Sequence, residues 1–235
     1  MSDVWASGAA YEAYVGRWSR RVADEFLGWI AVPAGGGWLD VGCGTGELTR
    51  VILDRCQPAA VTGVDPSHPF LALAVERTTD HRAEFRAGDA QALPFEDSRF
   101  DACVSGLVLN FVPEPQRSVS EMARVTRGGG TVAAYVWDYA GEMEMIRYFF
   151  DAAVVLDPAA AEVDEGSRFP VCSPDGLAAL FTSAGLRGVA TRAIDTPTHF
   201  RDFDNYWTPF LAGTGVAPAY DMSLSEPERA AARAR

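Results

Sequence analysis

Gly37-Trp38-Leu39-Asp40-Val41-Gly42-Cys43-Gly44-Thr45-Gly46-Glu47-Leu48-Thr49 is the stretch that decides the fold. Trp38, Leu39 and Val41 read as a short buried strand, three glycines alternate after it, and helical spacing of apolar residues resumes at Glu47. A strand therefore ends in a glycine turn that opens a helix. Such a turn lets main chain approach a ligand closely, and the free N–H groups and positive end of the helix favour an anionic group there. The spacing is G-x-G-x-G, so the third glycine of a dinucleotide G-x-G-x-x-G would fall on Glu47. A bulky acid at that place disturbs close helix packing and faces a pyrophosphate with like charge. The nicotinamide-dinucleotide fingerprint is not met.

On the carboxyl side of the turn, Glu47 to Cys56 read as a helix and Ala60 to Val64 as a second strand, which closes on Asp65-Pro66-Ser67. This is a βαβ unit, expected to be right-handed with parallel strands. The alternation continues with a helix from Pro69 to Thr78 and a third strand at 83–87, then Gly88-Asp89 and a loop. A fourth strand follows at 100–105, a helix from Glu114 to Thr126, and a fifth strand from Thr131 to Trp137. The expectation is an α/β fold, a Rossmann-like and mostly parallel sheet with helices on both faces. Beyond Trp137 the pattern weakens. A helix is expected at 143–156, another at 174–184 capped by Gly185, a sixth strand at 189–194, and a final helix beginning at Ser225.

On the amino side, Tyr11, Tyr14, Val15, Trp18, Val22, Phe26 and Ile30 share one side of a helical pattern interrupted at Gly16. A short leading helix, a kink near Gly16-Arg17 and a second helix from about Ser19 are expected. The whole is read as one domain: 1–36 as an N-terminal helical lid, 37–137 as the cofactor-binding core, 138–172 as a cap insertion, and 173–235 as the C-terminal part of the sheet and a tail.

A chain of 235 residues with 48% apolar and 22% charged residues has the make-up of an ordinary globular protein. Its net charge of -12 argues against nucleic acid and anionic membranes as partners and favours a small-molecule substrate. No apolar run approaches the roughly 20 residues that span a bilayer. The polar first residues carry no basic start, so a cytoplasmic location is expected. The four cysteines, Cys43, Cys56, Cys103 and Cys172, form no CxxC pair, so neither a metal site nor a disulfide framework is indicated.

The acidic residues at strand ends narrow the ligand. Asp65 lies about 20 residues past the glycine turn, where one carboxylate can accept from both ribose hydroxyls. Asp89 follows the third strand and flanks the same crevice, so it can accept from the exocyclic amine of an adenine while the main chain of Ala90 and Gln91 meets the complementary edge. These features describe an adenosine site whose distal end is not a pyrophosphate.

Leu39-Asp40-Val41-Gly42-Cys43-Gly44-Thr45-Gly46, Val64-Asp65-Pro66-Ser67, Gly88-Asp89-Ala90-Gln91-Ala92-Leu93-Pro94-Phe95 with Phe100-Asp101, and Arg127-Gly128-Gly129 together resemble the successive motifs of class I S-adenosylmethionine-dependent methyltransferases. The resemblance is dense over 38–137 and closest to the small-molecule branch that includes ubiquinone and menaquinone biosynthesis. It implies S-adenosylmethionine as cofactor and S-adenosylhomocysteine as product. Asp40, Gly42, Cys43 and Gly44 would border the methionine part, Asp65, Pro66 and Ser67 the ribose, and Asp89, Ala90 and Gln91 the adenine. The main chain around Ser105 to Leu107 would complete the methionine pocket. Related enzymes close the segment before the first strand over the cofactor; Tyr14 and Arg17 are the candidates, Arg17 for the methionine carboxylate and the aromatics for the sulfonium. A plain core-facing stripe satisfies the same aromatics.

Methyl transfer needs a base only where the nucleophile must lose a proton. By position the candidates are His68, Asn110, Tyr139 and His199, and the sequence assigns the role to none of them. Family sheets usually end in an antiparallel seventh strand, and no good one follows Ser223; the expectation is that the chain stops short of its natural C-terminus. The same sequence admits two other readings: a non-catalytic S-adenosylmethionine-binding protein, and a nicotinamide-dependent oxidoreductase, which Glu47 disfavours.

Overall fold

A computed structural model describes residues 15–212 and 215–234, except for the side chains of Arg17 and Ala212. The expected leading helix and Tyr14 lie outside the described residues, as does the Arg17 side chain. Two compact units emerge. The sheet unit comprises Arg20–Val136 and Pro174–Asp195; the aromatic unit comprises the described part of Met1–Ser19 with Trp137–Ser173 and Thr196–Arg235.

The sheet unit runs through most of α1 (Arg17–Ile30), then β1 (Gly37–Val41), α2 (Glu47–Arg55), β2 (Ala60–Asp65), α3 (His68–Arg77) and β3 (Ala83–Ala87). It continues through β4 (Phe100–Gly106), α4 (Pro115–Val125) and β5 (Thr126–Tyr135). The five strands lie in the order β3-β2-β1-β4-β5, every neighbouring pair parallel. Strand order reverses between β1 and β4, and ligands of such sheets bind beyond the carboxyl ends of the strands at that point. The glycine turn leaves β1 there.

Period-two alternation decides which helix covers which face. Trp38 packs with Phe26 of α1 and Val51 and Ile52 of α2. Leu39 and Val41 point the other way, into a core with Val119, Met122 and Val125 of α4 and Phe181 of α7 (Pro174–Ser183). Trp38, Leu39 and Val41 are fully buried, each worth about 1.5–3 kcal/mol of transfer free energy. β1 is thus central by composition. At the far edge β3 is the opposite: Glu84 and Arg86 point outward and pair at 3.1 Å, and Thr62 of β2 donates its hydroxyl to Glu84 at 2.9 Å.

Two expectations about the sheet are corrected. β5 begins at Thr126, five residues before the apolar run that announced it, because Thr126 pairs with Phe100 while Thr131 pairs with Ala102. The glycines between are taken up in a bulge-like slip of register. Residues 189–194 form no sixth strand, and among the described residues the sheet has five. Only Val189 and Ile194 of that segment carry apolar weight, and they serve opposite cores. Ala190, Thr191, Arg192 and Ala193 between them are exposed and give no face to pair. α1 runs unbroken from Arg17, preceded by a wide π-type turn at Val15 and Gly16, and the expected kink depends on a leading helix that lies outside the described residues.

The aromatic unit is built on α5 (Glu144–Leu156) and the short helices α6 (Glu165–Arg168) and α8 (Phe203–Trp207), with α9 (Val216–Ser223) and α10 (Glu226–Arg233). Phe149 stacks on Phe210 at 4.8 Å between centroids, Phe203 stacks on Trp207 at 5.8 Å, and Phe200 meets Tyr206 edge-on at 5.2 Å. Arg147 of α5 grips Asp164, which also caps α6 through the Gly166 N–H. At α10 the expected start is present as a capping box between Ser225 and Glu228. Among the described residues no helix is long and apolar enough to cross a membrane.

Candidate cofactor site

The turn after β1 is held from below. The N–H groups of Gly42 and Cys43 both donate to the carbonyl of Val64, at 2.7 and 3.0 Å, and Gly46 N–H returns to the carbonyl of Cys43 at 2.8 Å. Gly42 and Gly44 are glycine for different reasons. Both have positive φ, 74° and 52°, but a Cβ on Gly42 would meet the Val108 methyls at 2.5 Å, whereas one on Gly44 would meet nothing within 4 Å. Gly42 is filled by the protein; the face of Gly44 is open. Gly46, also left-handed, stands as the N-cap of α2 without a side-chain cap. A side-chain oxygen is therefore not what satisfies the first N–H groups of this helix.

Asp65 ends β2 beside that open face. One of its oxygens accepts from Gly44 N–H at 2.9 Å and the other from Ser67 N–H at 2.8 Å. Burial raises its pKa, and these two donors pull it back. Each carboxylate oxygen keeps a lone pair for a further donor. Two hydroxyls of a ribose have that chemistry. Pro66 is exposed, and the Ser67 hydroxyl caps α3 by accepting from Phe70 N–H at 3.4 Å.

Asp89 lies after β3, exposed, accepting from Gln91 through its N–H at 2.8 Å and its amide at 3.1 Å; these bonds hold its pKa low. Gln91 in turn accepts from Glu114 N–H at 3.0 Å, so the loop carrying Ala90 is tied at both ends. Glu121 of α4 accepts from Leu93 N–H at 2.8 Å and bonds Arg124 at 2.7 Å, fixing the far side of the loop.

From β4, the Ser105 hydroxyl donates to the Val41 carbonyl at 2.8 Å inside the core. It braces β1. Leu107 is left-handed at φ 61°, an uncommon conformation for leucine, and its N–H donates to the Tyr135 carbonyl at 2.8 Å. Asn110 follows in a 3-10 turn, and its buried amide nitrogen has no hydrogen-bond partner among the described residues.

Asp40 sits beneath the turn, 1% exposed, accepting the Thr49 hydroxyl at 2.7 Å. Burial pushes its carboxyl up to about 7, against the opposing pull of the Thr49 bonds. Its other oxygen has no partner among the described residues. Cys43 is buried, and desolvation, helped by Asp40 and Asp65, drives its thiol far above the usual range, so it is an inert wall.

The sheet unit therefore brings together Asp40, Gly42, Cys43, Gly44, Asp65, Ser67, Asp89, Ala90, Gln91, Ser105 and Leu107 at the carboxyl ends of its strands. His68 is also in this unit, exposed at the start of α3. Tyr139 and His199 belong to the aromatic unit: Tyr139 is buried against Phe169 at 5.7 Å, and His199 is exposed. Sequence reasoning missed Thr49, Val108 and Glu121. Their type and spacing mark them only as helix or turn residues, and their roles appear once strands and helices are packed.

The family described as "Methyltransferase domain" matches residues 39–134. The demethylmenaquinone methyltransferase of Roseiflexus castenholzii is 32% identical over 177 residues, covering 70% of this chain and 73% of that protein. The phosphatidylethanolamine N-methyltransferase of Cereibacter sphaeroides is 45% identical over 102 residues, 42% of this chain and 49% of that protein. Among solved structures, the Haemonchus contortus phosphoethanolamine N-methyltransferase 2 in complex with S-adenosyl-L-methionine shares the fold at TM-score 0.59 and 21% identity, covering 75% of this chain and 40% of that one. With these relatives and a five-stranded parallel sheet, the chain belongs to the class I S-adenosylmethionine-dependent methyltransferases of the small-molecule type.

Proposed function

We propose that the carboxyl ends of β1 to β4 hold S-adenosylmethionine with the residue roles that the strand ends suggest. Asp65 takes the ribose hydroxyls, Asp89 and the main chain of Ala90 and Gln91 take the adenine, and the open face of Gly44 with the main chain of Ser105 to Leu107 borders the methionine. The bound cofactor supplies an activated methyl group. What the chain adds is alignment and exclusion of water, effects that reach about 7–11 kcal/mol in well-oriented reactions. No side chain is assigned as a base. Asn110 offers an unsatisfied amide N–H and is proposed to orient a reactant; buried donors without partners in native proteins are uncommon outside such roles. Both units are read as parts of one methyltransferase domain. A small, non-nucleic-acid acceptor and a cytoplasmic setting complete the reading.

The observation that carries it is the doubly anchored carboxylate of Asp65 beside Gly44. Titrating S-adenosylhomocysteine calorimetrically into the Asp65→Ala protein tests it. Loss of a hydrogen-bonding charged acceptor, about 1.5–3 kcal/mol, should weaken binding roughly 10- to 150-fold. Unchanged affinity refutes the assignment.

A further inference from the structure

The aromatic unit contains a cavity of about 370 Å³ of its own, within the size range of small-molecule sites. Six aromatic side chains line it: Tyr148, Phe149, Phe200, Phe203, Tyr206 and Trp207. Only one lining residue is ionisable to a carboxylate, Glu144 at the first turn of α5, and none is basic. We infer that this cavity binds an organic cation with an apolar body, of the arylalkyl-ammonium class.

Three observations converge on a cation. The first is the local charge. Arg147, Arg201, Arg229 and Arg233 of this unit are each matched to a carboxylate, of Asp164, Asp202, Asp221 and Asp204 respectively. Glu144, exposed at the first turn of α5, has no cation against it among the described residues, so its charge is available to a ligand at the cavity mouth.

The second is the wall itself. Aromatic faces carry negative potential and attract ammonium groups within about 6 Å of the ring centre. The wall already shows this: the Arg233 guanidinium lies 5.7 Å over the ring of Phe203. Tyr148 is 61% exposed and Phe203 48% exposed, so rings are presented to the cavity mouth as well as packed behind it.

The third is the supply of donors. The Tyr206 hydroxyl is committed to the Met145 carbonyl at 2.9 Å. An anion would find no basic side chain in the lining, would find the neighbouring Arg233 already held by Asp204, and would meet Glu144. A cation finds one carboxylate and several ring faces, while Met145 and Ala152 accept its apolar body.

The inference concerns binding to this unit and does not depend on the cofactor assignment. Its test uses phenethylamine, protonated at neutral pH, and its near-isosteric neutral counterpart 2-phenylethanol. Each is titrated into the protein with saturating S-adenosylhomocysteine and again without it, by calorimetry and ligand-observed NMR. The ammonium should bind at least about fivefold more tightly than the alcohol, in Glu144→Gln that preference should fall towards unity, and Tyr148→Ala should weaken the ammonium several-fold. Equal or tighter binding of the alcohol overturns the inference, and so does a preference that Glu144→Gln leaves intact. Failure of both probes to bind at millimolar concentration overturns it as well. If S-adenosylhomocysteine itself does not bind, the proposed function falls and this inference is judged on the probes alone.

Discussion

The hydroxyl of Thr49 donates to the buried carboxylate of Asp40 at 2.7 Å, joining the first turn of α2 to β1 across the glycine turn. Asp40 has no partner for its second oxygen among the described residues, so Thr49 is a main support of a costly group. Thr49→Val keeps the shape and removes the donor. It should lower stability to urea by about 1–3 kcal/mol, and Thr49→Ser should restore most of it.

Asp40 also sets a pH dependence. Its folded carboxyl titrates near 7 against an ordinary value of 3.8, so between those values the folded protein holds a proton that the unfolded chain has released. The stabilisation from the protonated form is complete below about pH 4 and is lost as pH rises through about 7. Asp40→Asn cannot titrate. The stability difference between the native protein and this variant should therefore move against the native protein across that window, on the order of 1 kcal/mol per pH unit. Urea unfolding at successive pH values measures it, and parallel curves would remove the role given to Asp40.

Gly42 and Gly44 should separate folding from binding. Gly42→Ala drives a methyl into Val108 at a left-handed position and should destabilise by more than 2 kcal/mol, partly relieved by Val108→Ala. Gly44→Ala meets open space, so its thermal stability should fall only by the conformational cost of about 1–2 kcal/mol. Its S-adenosylhomocysteine affinity should fall at least tenfold, because the methyl occupies the ligand's face. A Gly44→Ala protein that binds normally would move the cofactor away from the turn.

Asp89 should read the adenine amine. The carboxylate is exposed and prearranged by Gln91, so a modest contribution is expected, about 0.5–1.5 kcal/mol or roughly 2- to 12-fold in affinity. Asp89→Ala should lose that much for S-adenosylhomocysteine and almost nothing for the hypoxanthine analogue, which lacks the amine. Equal losses for both would show that Asp89 only shapes the loop.

Much of this site is written locally. Trp38 to Glu47 announce strand, turn and helix by periodicity and glycine placement, and Asp65 and Asp89 follow from where the next strands stop. What could not be read depends on pairing and packing. The start of β5 at Thr126 is set by Phe100 across the ladder, and no property of Arg127-Gly128-Gly129-Gly130 foretells it. The segment 189–194 carries a plausible strand composition but divides its two apolar residues between separate cores. The bond from the Ser105 hydroxyl to the Val41 carbonyl likewise depends on how β4 lies against β1. Thr49 and Val108 acquire their roles only through neighbours distant in sequence.

Among the described residues β3 has one backbone side unpaired at the end of the sheet, a ready template for another chain's strand. Its outward Glu84 and Arg86 place both signs of charge on five residues of ladder. An incoming strand would have to strip water from both and match them in register. That cost disfavours edge-to-edge self-association, so the sheet can stop at β3.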